Sequence, residues 1–440
     1  MTNVTNTTDM NANANVVAAV SDSAPGVAII GFGTAGMNAL IGLRTAGYEG
    51  PVRIFSNAGE LPYSPILTSY YAAGFKQRKE CFPWSAEEVA DLKAEVLAAC
   101  PVESLDIDAH LVRTPQGDFP YAKCIIASGS RPMAYGFPPV QGGEYQPLML
   151  RTMEDADRLK DALEAPRCKH ILVSGASMVA LKVLEAALAR DVKVTLVGMN
   201  PHILDFNALP ETAERIEGHL RDCGVELRLG MVVKAVEYIP AGSDANDADT
   251  WQLKVTFSNG DIDVFDEISV SHGMRSNLEF LPEGALEMDR ALLVDEFMRT
   301  SNPDVYAAGD VVQALELISG ERRIVGIWKT AARQGFVAGK AIAAELAGQE
   351  PAATDAYEGA FATNTIVIND CLFISAGTME ITDNRRIEIT EDDSMTIARI
   401  WEKTPDGRER LVGFSLASDD ATEGNRAYDT GAMLTKLIGK

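Results

Sequence analysis

The hydrophobic pattern begins with a short unbroken apolar run, Val27–Ile30, of the kind that forms a strand buried on both faces. It runs into GFGTAG (31–36), after which Met37, Leu40 and Ile41 recur at helical spacing until Gly47, a suitable helix stop. VRIF (52–55) supplies the next strand. Strand, glycine turn, helix and strand in this order predict a βαβ unit and a parallel sheet. The same grammar restarts at Lys169, with HILVSG (170–175), a helix over 178–191 and a strand in VKVTLVG (192–198). Val179, Val183, Ala186 and Ala187 share one side of that helix. Between 225 and 270 apolar and polar residues alternate, with SNGD (258–261) as a tight turn, which predicts an antiparallel meander. Beyond Pro351–Asp355, which reads as a linker, MTIARIWEK (395–403), RERLVGFSLAS (408–418) and the helix-like 425–439 predict a small α+β domain. The fold class expected is therefore α/β, with two Rossmann-like nucleotide-binding domains and a small C-terminal domain.

Composition narrows the function. The length of 440 residues suits about three domains. A formal net charge of -24 argues against nucleic acid and anionic membrane surfaces as partners, and an acidic carrier protein would need a local basic patch. No apolar run is long enough to span a bilayer. Residues 1–25 have no Lys or Arg ahead of their weak apolar patch; they read as a polar, disordered tail rather than a secretory signal. Cysteines stand at 81, 100, 124, 168, 223 and 371, and no two are spaced as a local dithiol or metal pair, so no metal site is expected. Reduced cytoplasmic thiols are the expectation.

Each glycine of GFGTAG has a physical task. Gly31 permits the turn out of the strand, Gly33 lets backbone approach a pyrophosphate, and Gly36 allows the helix to pack closely on the sheet. Thr34 and Ala35 open the helix, whose N-terminal N–H groups face the phosphates. After the next strand, Asn57 or Glu60 is the candidate for the adenosine ribose.

Further segments resemble one family. YAKCIIASGSRP (121–132), VYAAGDV (305–311), the helix in GIWKTAARQGFVAGKAIAAEL (326–346), VSHGMRSN (270–277) and LPYSPILTSYYAAG (61–74) are similar, in order, to segments of FAD-dependent pyridine nucleotide oxidoreductases of the glutathione-reductase fold. The branch resembled is that of NADH oxidases, rubredoxin or ferredoxin reductases and nitrite reductase FAD subunits, and NTIVINDCLFISAG (364–377) is similar to the opening of its C-terminal domain. The resemblance implies a discontinuous FAD domain (26–148 and 274–350), an NAD(P)-binding-like domain (149–273) and an interface domain (351–440) that supports a homodimer. It implies FAD contacts from Gly31, Gly33, Thr34, Ala35, Gly36, Ala127, Ser128, Gly129, Arg131, Gly309, Asp310 and Trp328. Asp310 would reach the ribityl chain, with helix capping as its plain alternative. The stretch 66–73 lacks the redox cysteine of one sub-branch, which disfavours cysteine-based peroxidase, disulfide or coenzyme A chemistry. Tyr70 stands where relatives often have a Lys beside the flavin; flavin contact and plain packing both remain open.

The second glycine turn is altered. Gly175 is kept, Ser177 replaces the glycine facing the pyrophosphate, and Ala180 is an accepted variant of the packing glycine. Ser177, Met178, Val179 and Lys182 are the candidate NAD(P) contacts with Gly175. Lys182, where relatives often have a Glu, is open between an internal ion pair and an anionic ligand. Gly198 stands where NAD users place an acid for the ribose, and no Arg follows to hold an NADP phosphate. The expected function is a cytoplasmic FAD-dependent oxidoreductase passing a hydride from NAD(P)H to flavin, then electrons to a redox protein or small-molecule acceptor. The alternatives are an FAD-containing subunit with a non-functional NAD site, which oxidises a substrate or relays electrons in a larger complex, and a non-catalytic flavin-binding interaction protein.

Overall fold

Both predicted βαβ units form, and the chain returns to the first after completing the second. The structure is a computed structural model, and it describes residues 25–240, 251–419, 432–433 and 436–437. The expected polar tail and most of the expected helix over 425–439 lie outside the described residues. The chain divides into two compact units, one of 1–64, 82–130 and 276–360, the other of 65–81, 131–275 and 361–440.

In the first unit the parallel part of a seven-stranded sheet runs Glu95–Leu97, Val52–Phe55, Gly26–Ile30, Gly117–Ile126 and Val305–Ala307. The run Val27–Ile30 is central because it is apolar at every position, and all four residues are buried. Ser104–Asp106 and Leu111–Thr114 extend the sheet antiparallel from the long strand Gly117–Ile126. Two helices, Thr34–Thr45 and Trp328–Leu346, pack against each other almost backbone to backbone. A Cβ added at Gly335 would lie 2.1 Å from the Ala35 carbonyl oxygen, and one at Gly339 would lie 2.1 Å from that of Ala39. The expected close packing at Gly36 is also present, since a Cβ there would meet the Gly31 carbonyl oxygen at 2.0 Å.

The far end of the long helix is fixed by Glu345. Its carboxylate accepts from Arg299 Nε at 2.8 Å, from the Tyr306 hydroxyl at 2.7 Å and from Lys123 Nζ at 2.7 Å. Burial pushes the Glu345 carboxyl up, but the bonds from Lys123, Tyr306 and Arg299 outweigh it and hold the group below the usual value.

The second unit carries a four-stranded parallel sheet in the order Glu226–Leu229, Lys193–Gly198, His170–Ser174 and Glu267–Val270. The glycine-turn helix of this unit spans Met178–Leu188. Of the span 225–270 expected to form an antiparallel meander, Val233–Pro240, Trp251–Phe257 and Ile262–Phe265 do so, with Val140–Gln141 added parallel at their edge, whereas the two ends, Glu226–Leu229 and the fully buried Glu267–Val270, join the parallel sheet instead. The described part of the C-terminal segment is an antiparallel sheet in the order Thr363–Ile368, Cys371–Gly377, Glu409–Ser418, Met395–Lys403 and Arg385–Glu391. The helix Pro210–Asp222 packs on it, and the Thr212 and Ser415 hydroxyls hydrogen-bond at 2.7 Å.

Gly339→Ala should lower thermal stability by about 1–3 kcal/mol, because the new methyl can be accommodated only by parting two helix backbones. Calorimetric or circular-dichroism melting checks this. Glu345→Gln should cost about 1–3 kcal/mol at neutral pH. Since the folded carboxyl titrates below 4.5, its contribution is complete above that pH and fades as pH falls further. The two melting curves should therefore converge in acid.

Candidate functional site

Both glycine turns lie at the carboxyl ends of their parallel strands, where open α/β sheets bind ligands. In the first, the Gly31 N–H donates to the Phe55 carbonyl at 2.8 Å and the Ala127 N–H to the Ile30 carbonyl at 2.8 Å. Gly31 has φ +108°, and a Cβ there would lie 2.2 Å from the Ala127 carbonyl oxygen, so only glycine fits. Gly33 differs. Its φ of -85° suits any residue, and an added Cβ would meet nothing within 4 Å. Its glycine is not required by the protein's own packing, which leaves room for a ligand against bare backbone.

The chemistry around Gly33 favours an anion. The helix beginning at Thr34 has no side-chain cap and no acid in its first turn. Thr34 Oγ1 is buried with no hydrogen-bond partner in the protein, as is Trp328 Nε1 at the start of the long helix. That helix also starts uncapped and without an acid in its first turn. Two uncapped helix starts, a side chain-free cradle and two orphaned polar atoms fit the dinucleotide implied by the resemblance.

The second FAD-like segment joins the same unit. Val305–Ala307 pairs with Cys124–Ile126, and Gly309, at φ +86°, donates its N–H to Gln334 Oε1 at 2.9 Å. Asp310 accepts from the Ser130 hydroxyl at 2.6 Å, and its carbonyl accepts from the Ser276 hydroxyl at 2.6 Å. Ser128 spends its hydroxyl on the Asn277 carbonyl at 2.6 Å, while Asn277 Nδ2 donates to the Ser128 carbonyl at 2.9 Å. The Asn277 N–H donates to the Gly129 carbonyl at 2.9 Å. Asn277, which the sequence reading did not single out, thus fixes the candidate residues Ser128 and Gly129; its place three residues after VSHGM was the available signal. Trp84, also missed, stacks on Trp328 with ring centroids 6.4 Å apart. Of the two ribose candidates, Asn57 is exposed and Glu60 half-buried. Arg131, half-buried, is the first residue of the second unit's middle segment.

In the second turn Gly175 has φ +114°, and a Cβ there would lie 2.4 Å from the Ser271 carbonyl oxygen. Ser177 accepts from the Ala180 N–H at 3.4 Å, so the residue that replaced a glycine caps the helix. Met178 is half-buried and Val179 is exposed. His272, unremarked in the sequence, bridges Ser174 Oγ at 3.0 Å and the Tyr135 carbonyl at 2.7 Å beside this turn.

Lys182 is buried and engaged internally. It pairs with Glu185, donates to the Val367 carbonyl at 3.2 Å and lies 4.3 Å from the Tyr70 ring centroid. Of its two readings, the structure shows the ion pair. Tyr70 belongs to the second unit and borders a cavity of about 290 Å³ with Phe75, Glu185, Val367 and Asn369. All six cysteines are free thiols, and burial pushes Cys168 and Cys371 up to about 12, so these two are poor thiolates at neutral pH.

Comparison with known proteins agrees with this geometry. The NADH-dependent phenylglyoxylate dehydrogenase subunit epsilon of Aromatoleum evansii is 27% identical, over 93% of this chain and 90% of that one. Rubredoxin-NAD(+) reductase of Ectopseudomonas oleovorans is 27% identical over 66% of this chain and 72% of its own length. The solved structure of the water-forming NADH oxidase of Lactobacillus brevis bound to NADH superposes with a TM-score of 0.77 at 22% identity, covering 92% of this chain and 90% of that one. The family model for pyridine nucleotide-disulphide oxidoreductases matches residues 25–335, a span that contains both glycine turns and the Asp310 segment, and the chain belongs to that family.

Proposed function

We propose that this chain is an electron-transfer flavoprotein whose electrons enter from NAD(P)H and leave to a separate redox protein. It is an FAD-dependent NAD(P)H oxidoreductase. When bound, FAD supplies the chemistry, accepting a hydride from the nicotinamide and passing electrons onward. Gly33 gives the pyrophosphate access to bare backbone, and the unsatisfied N–H groups from Thr34 to Gly36 meet its charge. Asp310, oriented by Ser130, offers a carboxylate to a hydroxyl-bearing chain, and Trp328 Nε1 offers a donor. The observation that carries the reading is the open Gly33 cradle beside an otherwise overpacked set of glycines. A protein acceptor is supported by the rubredoxin reductase relative.

A second reading, that the chain works as one subunit of a larger assembly, is favoured by the near end-to-end match to a dehydrogenase subunit. A cytoplasmic homodimer is consistent with the family and with the reduced cysteines. No helix of the described residues is long and apolar enough to cross a membrane.

Anaerobic titration separates these readings from a flavin-binding protein without turnover. NADH or NADPH should bleach the flavin band of the purified chain; bleaching by dithionite alone would refute nicotinamide-driven reduction. Gly33→Val should lower flavin retention at least about tenfold while leaving the far-ultraviolet circular dichroism unchanged. Asp310→Ala should weaken flavin binding by about 1–3 kcal/mol, measured by equilibrium release of the cofactor.

A further inference from the structure

We infer that Asp205, held in place by Asn200, selects a dinucleotide whose adenosine ribose has a free 2′-hydroxyl over one bearing a 2′-phosphate. The inference rests on the second glycine turn being the NAD(P)H site. An acidic residue at the end of the strand after such a turn ordinarily makes this choice by accepting from the ribose hydroxyls. Here that position is Gly198, and no side chain has easy room there. A Cβ would lie 3.1 Å from Ala176 Cβ and 3.2 Å from Leu229 Cδ2.

The loop that follows brings a carboxylate back to the same end of the sheet. The Leu204 N–H donates to the Ala176 carbonyl at 2.8 Å, tying the loop to the glycine turn itself. Leu204 is buried and has φ +56°, a left-handed conformation that costs a branched side chain energy and persists only where its surroundings enforce it. Its carbonyl accepts from the N–H groups of Asn207 at 2.7 Å and Ala208 at 2.8 Å. The next residue, Asp205, is exposed, and Asn200 Nδ2 donates to its Oδ2. Asn200 is itself anchored, since its carbonyl accepts from the Gly230 N–H at 3.0 Å. The carboxylate is thereby pinned beside both the strand end and the turn, and it keeps lone pairs beyond the one used by Asn200.

The surrounding charges decide against a 2′-phosphate. Residues 199–209 contain no Lys or Arg. Arg228, on the adjacent strand, is engaged by Glu226 and Asp263. His202 faces Glu217 at 3.3 Å and Glu214 at 3.9 Å. A 2′-phosphate would meet Asp205 with no cation offered by its own loop, and the one guanidinium on the adjacent strand already faces two carboxylates, whereas a hydroxyl could donate to Asp205. Met199 and Phe206 are 72% and 85% exposed and flank Asn200 and Asp205 in sequence, giving an adenine ring apolar surface to cover.

The test is calorimetric titration of the oxidised holoprotein with NAD+ and with NADP+, with anaerobic flavin bleaching by NADH and NADPH measured alongside. The wild type should bind NAD+ about tenfold or more tightly than NADP+. Asp205→Asn should bring the two within about threefold, and Asp205→Arg should reverse the order. Asn200→Ala, which keeps the carboxylate but removes its tether, should weaken NAD+ binding about threefold or more with the flavin spectrum unchanged. A wild-type preference for NADP+, or an affinity ratio unmoved in both Asp205 variants, overturns the assignment while leaving NAD(P)H use intact if bleaching persists. Failure of both dinucleotides to bind or to bleach overturns the assignment together with the reading beneath it.

Discussion

The approach of two helix backbones in the first unit is the constraint on which the rest depends. Gly36, Gly335 and Gly339 let Thr34–Thr45 lie directly on its own turn and on Trp328–Leu346, at distances no side chain could tolerate. That contact sets where the uncapped helix start points and brings Gln334 to the Gly309 N–H. The first glycine turn and the Gly309–Asp310 segment, from the beginning and the end of the unit, are therefore aligned by van der Waals exclusion more than by any strong bond. Glu345 then locks the opposite end of the long helix with charge-assisted hydrogen bonds, so the helix can neither slide nor tilt without breaking them.

The two glycine turns share one backbone shape and differ in the surface they present. In the first, neither backbone conformation nor packing within the protein requires the middle glycine, and the backbone there is left bare. In the second, Ser177 takes over the capping that a ligand-facing glycine forgoes. Gly175 nonetheless keeps its positive φ and its tight approach to Ser271, so the turn has retained its shape while changing its surface. Lys182 follows the same economy, its charge answered by Glu185 and by the face of Tyr70.

Much of this was legible in the amino-acid order. Val27–Ile30 is apolar and buried at every position, and in VRIF and 192–198 the apolar residues are likewise buried, so such strands announce themselves. SNGD supplied its turn, with Gly260 at φ +92°. What could not be read were interactions between residues distant along the chain. Nothing local marks Asn277 as the partner of Ser128, Glu345 as the meeting point of Lys123, Arg299 and Tyr306, or Asp205 as tethered to Asn200. Nor does local pattern reveal that 361–440 clusters with the middle of the chain, since an antiparallel sheet looks the same whichever body it packs on.

The bond between Ser128 and Asn277 joins positions 149 apart, and every residue of the second unit's middle segment is synthesised between them. During translation the ribosome must therefore deliver that whole segment before the first unit can close. Closing a loop of this length is slow and leaves half-built sheet edges exposed meanwhile. The intervening segment carries its own parallel sheet, so its folding would shorten the effective loop that the first unit has to close.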